Sequence, residues 1–319
     1  MKSINVSNMT FNKLEELNLP SEVLSTESKL YLYNFRGEEK VVKKLYKTSG
    51  EYYATKLYTV EMLDDCKENL PNNFIIPDYT FSVNHQNIGF TIPRVNGITL
   101  STILKNTKID IEDKIEYLRQ IGIMIRQLEN IRKYTGLKDI YFNDINESNF
   151  MVNPLNRECY AIDLDSVKIG NNKIFPARYL SKNGLLSNVS SKYIKNISAW
   201  EFDDKEINTD ESNYKQYGFS EGYYIPSANT DLYCYTLLIL NYLYGENVGN
   251  LKLTEFYEYM DYLLYIGFNK ELVDCFANIV NTPANINPAN FLDSLTTEQV
   301  CRAKSKIYVL NKHNYKKVL

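Results

Sequence analysis

The run from Asp231 to Tyr244 constrains this chain more than any other segment. Leu232, Tyr235, Leu237, Leu238, Ile239, Leu240 and Leu243 leave it no polar stripe, and a helix that is apolar nearly all round is stable only when other elements cover every side. Its greasiest part, Thr236 to Tyr244, is too short for a bilayer, since a spanning helix needs about 20 apolar residues. The segment therefore belongs at the centre of a helical lobe, and the rest of the chain must supply the shell. With 319 residues, 44% of them hydrophobic and 24% charged, one large two-lobed unit is expected.

The first hundred residues read as strand-rich with one helix. Lys29–Tyr33 and Lys40–Tyr46 are β-prone runs separated by Asn34-Phe35-Arg36-Gly37-Glu38, a hairpin turn signal. Glu51 to Asn69 carries Leu57, Val60 and Leu63 at helical spacing and exits at Pro71. Phe74–Pro77 and Ile88–Pro93 read as further strands, and Asn96-Gly97 as a linker. The expected division is a strand-rich lobe over 1–96 and a helical lobe over 97–319. In the second lobe Asp110 is the expected N-cap, with Asp113 three residues on, of a helix running to about Lys133 with Ile111, Ile115, Leu118, Ile125 and Leu128 on one face. Phe150–Asn153 and Cys159–Ile162 form a short hairpin across Pro154–Arg157. The stretch 170–226 is polar, tyrosine-rich and too long for an idle connection.

Composition removes several functions. A formal charge of −3 leaves no overall electrostatic footprint for nucleic acid or an anionic membrane. The five cysteines are scattered and never spaced as a CxxC pair, which argues against a disulfide framework or a thiolate zinc site. The two histidines, His85 and His313, read as plain surface positions and exclude histidine triads and multi-histidine metal sites. Met1-Lys2-Ser3-Ile4-Asn5 lacks the apolar stretch of a signal peptide, so a cytoplasmic protein is expected.

The chemistry concentrates between Tyr141 and Ser166. Asp144 is followed five residues later by Asn149, then by the hairpin, then by Asp163. Any one of these is ordinarily a turn cap, but the three together on either side of one hairpin are much less readily read that way. Tyr141-Phe142-Asn143-Asp144-Ile145-Asn146-Glu147-Ser148-Asn149-Phe150-Met151-Val152 and Ala161-Ile162-Asp163-Leu164-Asp165-Ser166 resemble the catalytic and metal-binding loops of protein kinases.

That resemblance, covering about Ser21 to Leu295, implies an α+β bilobal protein-kinase-like fold with an N-terminal antiparallel sheet, one helix and a mostly helical C-terminal lobe. It implies ATP and magnesium as cofactors, with Asn149 and Asp163 as metal ligands and Asp144 accepting the proton of the acceptor hydroxyl. Lys43, in Val41-Val42-Lys43-Lys44-Leu45, resembles the lysine that grips the α- and β-phosphates, with Lys44 pointing the other way. Glu61 is the expected helix partner of Lys43, and Glu51 the weaker candidate. Ile92 to Gly97, with Ile92 and Arg94 as nucleotide-binding positions, resembles the hinge that holds adenine through its backbone. Asp231 resembles the aspartate that braces the catalytic loop, although a helix N-cap would look the same.

The chain also departs from the family pattern. Leu24–Leu30, at the place of the phosphate flap, has no glycine. Phe142 and Asn143 replace the histidine and arginine before the catalytic aspartate, Asn146 replaces a phosphate-steadying lysine, and Asp165 replaces a glycine, leaving Lys168 or Arg178 as compensating cations. The long 170–226 segment, with Tyr179, Tyr193, Tyr214, Tyr217, Tyr223 and Tyr224, suits either a solvated loop or an interface, including one between two copies. Three functions follow from the resemblance: a protein kinase acting on a protein hydroxyl, a small-molecule kinase of the aminoglycoside or choline kind, and a pseudokinase scaffold. Asp231 favours the first over the second, and the joint presence of Lys43, Glu61, Asp144, Asn149 and Asp163 disfavours the third.

Overall fold

The hairpin turn sets the first half of the molecule. Arg36 and Gly37 both take positive φ, 56° and 90°, the two-residue geometry whose twist matches antiparallel strands. The Asn34 side-chain oxygen accepts from the Gly37 N–H at 3.0 Å. In a computed structural model, which describes residues 1–17, 28–46, 48–172, 174, 206–209, 212–215 and 226–305, this turn joins two strands of a larger sheet. The strands are β1 (Lys2–Val6), β2 (Glu15–Glu16), β3 (Ser28–Phe35), β4 (Glu38–Leu45), β5 (Tyr79–Val83) and β6 (Gln86–Pro93), in the order β1-β5-β6-β4-β3-β2. β1 runs parallel to β5, and the other pairings are antiparallel.

Two expectations change here. Phe74–Pro77 is not a strand: Phe74 makes a single bridge to Ala161 and Ile75 donates to the Ala161 carbonyl at 2.9 Å. Pro77 has no N–H to continue a ladder, and the strand begins at Tyr79. The first residues, outside the kinase resemblance, form an edge strand and a short helix, Asn8–Phe11 (α1). Phe11 and Leu14 pack with Ile4, Val42 and Phe81 on the outer face of the sheet.

The helix α2 (Gly50–Cys66), continuing as a 3₁₀ turn over Lys67–Asn69, covers the inner face. There Val60 packs with Leu45 and Phe90, while Leu63 and Cys66 belong to the main core of the second lobe. Among its described side chains the buried ones are Lys56, Thr59, Val60, Leu63 and Cys66, and Leu57 is half-buried. The inward stripe thus contains Lys56 where Leu57 was expected.

The second lobe comprises β7 (Ile98–Thr99), α3 (Leu100–Lys105), α4 (Ile111–Tyr134), β8 (Ile140–Tyr141), β9 (Phe150–Asn153), β10 (Glu158–Ala161), β11 (Lys168–Ile169), β12 (Glu206–Thr209), β13 (Ser212–Lys215), α5 (Ala228–Tyr244), α6 (Leu253–Tyr265), α7 (Lys270–Asn278) and α8 (Thr297–Ser305). α5 starts at a Ser227–Thr230 capping box and stops at Gly245, whose φ is 82°. Tyr233 through Leu240 is buried throughout, as an all-apolar helix requires. The Tyr235 hydroxyl donates to the Leu118 carbonyl of α4 at 2.7 Å. Gly122 permits that approach, because a Cβ there would lie 2.7 Å from the Tyr235 hydroxyl oxygen. Asp110 occupies the N-cap of α4 without a side-chain cap bond, and Asp113 pairs with Arg157 instead.

β12 and β13 pair antiparallel. Arg178, Tyr179, Tyr193, Tyr217, Tyr223, Tyr224, His313 and positions 24–27 of the expected flap lie outside the described residues, whereas Ser28, Lys29 and Leu30 belong to β3. Among the described residues no helix is long and apolar enough to cross a membrane.

Candidate active site

The loop carrying Asp144 is held from below by Asp231. One carboxylate oxygen of Asp231 accepts from the Phe142 N–H at 3.0 Å and the other from the Asn143 N–H at 2.8 Å. The N-cap of this helix is Ser227, so Asp231 lies inside the first turns rather than capping them. Its carboxyl is entirely buried, and that burial pushes its pKa up to about 7 against the two N–H bonds, which favour the charged form. Asn143 sits at φ 67°, a strained backbone of the kind that persists where surroundings over-determine it. The Phe142 ring stacks on Phe74 with centroids 5.0 Å apart and tilts against Phe150 at 5.9 Å. An apolar clamp thus stands where the family pattern has a histidine.

Above this base the side chains interlock. The Asn149 amide nitrogen donates to the Asp144 carbonyl at 2.8 Å and to its carboxylate at 3.1 Å, so its amide oxygen is the atom left for other ligands. The Ile162 N–H donates to the Asn149 carbonyl at 2.9 Å, and the Asn143 amide donates to the Ser166 carbonyl at 3.1 Å. These bonds tie the Asp144 loop to the Asp163 loop. Asn146 is buried, and its oxygen accepts from the Ser148 N–H at 2.9 Å. It braces the turn and does not present a group to a phosphate. Lys168 donates to the Asn172 carbonyl at 2.6 Å, so it is committed elsewhere.

Charge gathers where sheet, helix and hairpin meet. Lys43 Nζ donates to Asp163 Oδ1 and, at 2.9 Å, to Asp165 Oδ2. Lys56 Nζ donates to Ser166 Oγ at 3.0 Å and lies 3.5 Å from the same Asp165 oxygen. Asp163 takes a left-handed backbone, φ 58° and ψ 41°, directly after β10, and its side chain keeps 36% of its surface exposed whereas that of Asp165 keeps 1%. Burial raises the Asp163 carboxyl, with the neighbouring Asp165 charge adding to the rise and Lys43 and Lys56 opposing it. Burial acts on Asp165 in the same direction, but the two lysines overcome it and hold that carboxyl below the usual carboxylate range.

The structure therefore brings Lys43, Asp163, Asn149 and Asp144 into one connected region. Glu61 does not join them. It is exposed, and among the described residues it forms no ion pair, while Lys43 takes aspartate partners. The reason is rotational: at about 100° per residue, a helix that buries Lys56, Val60 and Leu63 turns Glu61 to its far side. Ile92 packs against the inner-face cluster of Leu45, Val60 and Phe90. Arg94 is exposed, its guanidinium pairs with Glu39 at 2.7 Å, and its N–H donates to the Glu39 carbonyl at 3.3 Å. That N–H is spent on the sheet and is not offered to a base. Lys44 reaches the Phe11 ring on the other face, with 5.7 Å to the centroid. Sequence reasoning missed Lys56 and the pairing role of Asp165. The available signal was a lysine four residues before Val60 and seven before Leu63.

Apart from the edge strand β1 and the short helix α1, the order of elements, a sheet with the helix α2 followed by a helical lobe carrying the loop and hairpin, is the one the resemblance implies. No family model matches the chain, and no curated protein matches it. Among solved structures, the kinase domain of maize sucrose-induced receptor kinase 1 bound to AMP-PNP is similar with 13% identity, 91% of this chain and 92% of that chain covered, and a TM-score of 0.46. An apo pseudokinase is similar with 9% identity, 94% and 97% covered, and a TM-score of 0.48. At these scores neither likeness carries a function over to this chain.

Proposed function

We propose that this chain is an ATP-dependent phosphotransferase acting on protein hydroxyls, with its nucleotide between a sheet lobe over 1–96 and a helical lobe over 97–319. The observation that carries the reading is the meeting of Lys43, from β4, with Asp163, which is 120 residues away at the end of the hairpin. A cation that can hold phosphate and a carboxylate that can hold magnesium thus come together from two parts of the fold, with the carboxylate side chain 36% exposed. Asn149 and Asp163 would hold the metal. The donor set suits it, since an amide oxygen released by the commitment of its nitrogen to Asp144 and an accessible carboxylate are both hard ligands. When bound, magnesium neutralises charge on the β- and γ-phosphates.

The remaining work falls to the chain. Lys43 grips the nucleotide phosphates, and Asp144 accepts the hydroxyl proton of the acceptor and aligns its oxygen for in-line attack. The Asn149 amide bond fixes the Asp144 carboxylate for that duty. Asp231 holds the loop backbone so that the carboxylate does not wander.

Two measurements test this. Thermal melting of the full chain with ATP should rise, and rise further with magnesium. With γ-labelled ATP, Asp144→Ala should lower transfer about a hundredfold or more while nucleotide affinity stays close to wild type, and Asp163→Ala should also weaken magnesium-dependent binding. Binding without transfer to itself, to generic protein, to choline or to an aminoglycoside would favour a scaffold. Transfer to either small molecule alone would move the acceptor class. Full activity of Asp144→Ala would overturn the assignment of the loop.

A further inference from the structure

We infer that Lys56 is the helix-borne positioning residue of this site, acting through Asp165, so that the chain replaces a lysine–glutamate pair by a lysine–aspartate–lysine chain. The inference rests on the nucleotide reading above and extends it to a residue which that reading does not use. Its basis is the order of contacts. Lys43 and Lys56 approach the same Asp165 oxygen, at 2.9 and 3.5 Å, from the sheet and from α2. Lys56 and Asp165 are each 2% exposed, and a buried carboxylate is tolerated only with compensating charge.

The charges explain why two lysines are needed. Lys43 and Lys56 carry two positive charges, and Asp163 and Asp165 two negative ones. If magnesium takes Asp163 and a phosphate draws on Lys43, Asp165 must keep a counter-ion in place, and Lys56 is there to be it. With an apolar residue at 56, Lys43 would be the sole ammonium between two carboxylates. Releasing it to a phosphate would then strip Asp165 of its charge partner. Lys56 thereby frees Lys43 for the nucleotide while Asp165 keeps that ammonium oriented. Ser166, whose hydroxyl accepts from Lys56 at 3.0 Å, fixes the second lysine from the same loop.

The test is a set of variants of the full chain titrated with magnesium-ATP by calorimetry. Lys56→Met should weaken affinity about thirtyfold or more, the size typical of removing one partner from a buried charge pair. Lys56→Arg should restore most of it, since the charge returns. Lys56→Met combined with Asp165→Asn should bind within about threefold of Asp165→Asn alone, because the effects of residues in contact are non-additive. If Lys56→Met does not fold, that double variant, neutral at both positions, carries the comparison. Additive losses, or a Lys56→Met variant that binds like wild type, would overturn the inference and leave the nucleotide reading intact. A wild type that binds no nucleotide would overturn both, and that outcome is recognisable before any variant is made.

Discussion

Replacing Asp231 by alanine removes the acceptor of two buried backbone donors, the N–H groups of Phe142 and Asn143 at 3.0 and 2.8 Å. A buried donor left without a partner costs about 1–3 kcal/mol, so two place the expected destabilisation near 4 kcal/mol at pH 6. The loss should depend on pH in a definite direction. Burial raises the Asp231 carboxyl from 3.8 to about 7, so the folded protein favours its neutral form. The stability tied to that form is fully present below the ordinary carboxylate range and is lost as pH rises through about 7. At about 1.4 kcal/mol per pH unit below that raised value, levelling off above it, wild type should lose roughly 1.4 kcal/mol between pH 6 and pH 8 from this group, most of it before pH 7. The alanine variant loses nothing there. Asp163, also raised by burial, is present in both proteins and drops out of the difference. Urea unfolding at the two pH values, read from midpoints at unchanged slope, should therefore give a gap about 1.4 kcal/mol smaller at pH 8. A gap below about 1 kcal/mol at pH 6 would refute the hydrogen-bond argument. A gap that widens toward pH 8 would refute the electrostatic one.

Two further substitutions test the surroundings of Lys43. A Cβ on Gly89 would lie 2.0 Å from the Lys43 carbonyl oxygen and 3.0 Å from its carbonyl carbon, both backbone atoms that cannot swing aside. Gly89→Ala should lower stability by at least about 1.5 kcal/mol, as overpacking does, and weaken nucleotide binding with it. A melting temperature and affinity equal to wild type would show that β4 and β6 separate at no cost. Glu61→Gln, at an exposed position, should change stability by less than about 0.5 kcal/mol and leave nucleotide affinity within about twofold. A tenfold loss of affinity would return Glu61 to the site.

Much of this architecture is local and was readable as such. Asn34 and Gly37 announce the hairpin, since the turn needs a residue at ease with positive φ at Gly37 and the Asn34 oxygen accepts from its N–H. The helix ending at Gly245 is apolar on every side and can sit nowhere but in a core. The acid and amide around the short hairpin kept their spacing because the loop, the two strands and their turn are contiguous in the chain.

What required the tertiary structure was the pairing of charges across long separations. A single lysine on an otherwise apolar stripe reads as a surface residue, because burying an ammonium is unfavourable unless a carboxylate awaits it. For Lys56 the groups that make burial tolerable, Asp165 and Ser166, arrive from a loop with Ser166 110 residues further on. With those partners in place the buried face of α2 includes Lys56 beside Val60 and Leu63, and Glu61 lies on the exposed side. Asp231 was undecided for a related reason: an N-cap and a loop brace are the same residue type at the same kind of position. The choice depends on whether the Phe142 and Asn143 N–H groups, in a segment remote along the chain, come within hydrogen-bonding reach of its carboxylate. Local spacing sets which elements form, whereas the partner of a buried charge is fixed by which segments the fold brings together, since the energy of that charge belongs to the pair.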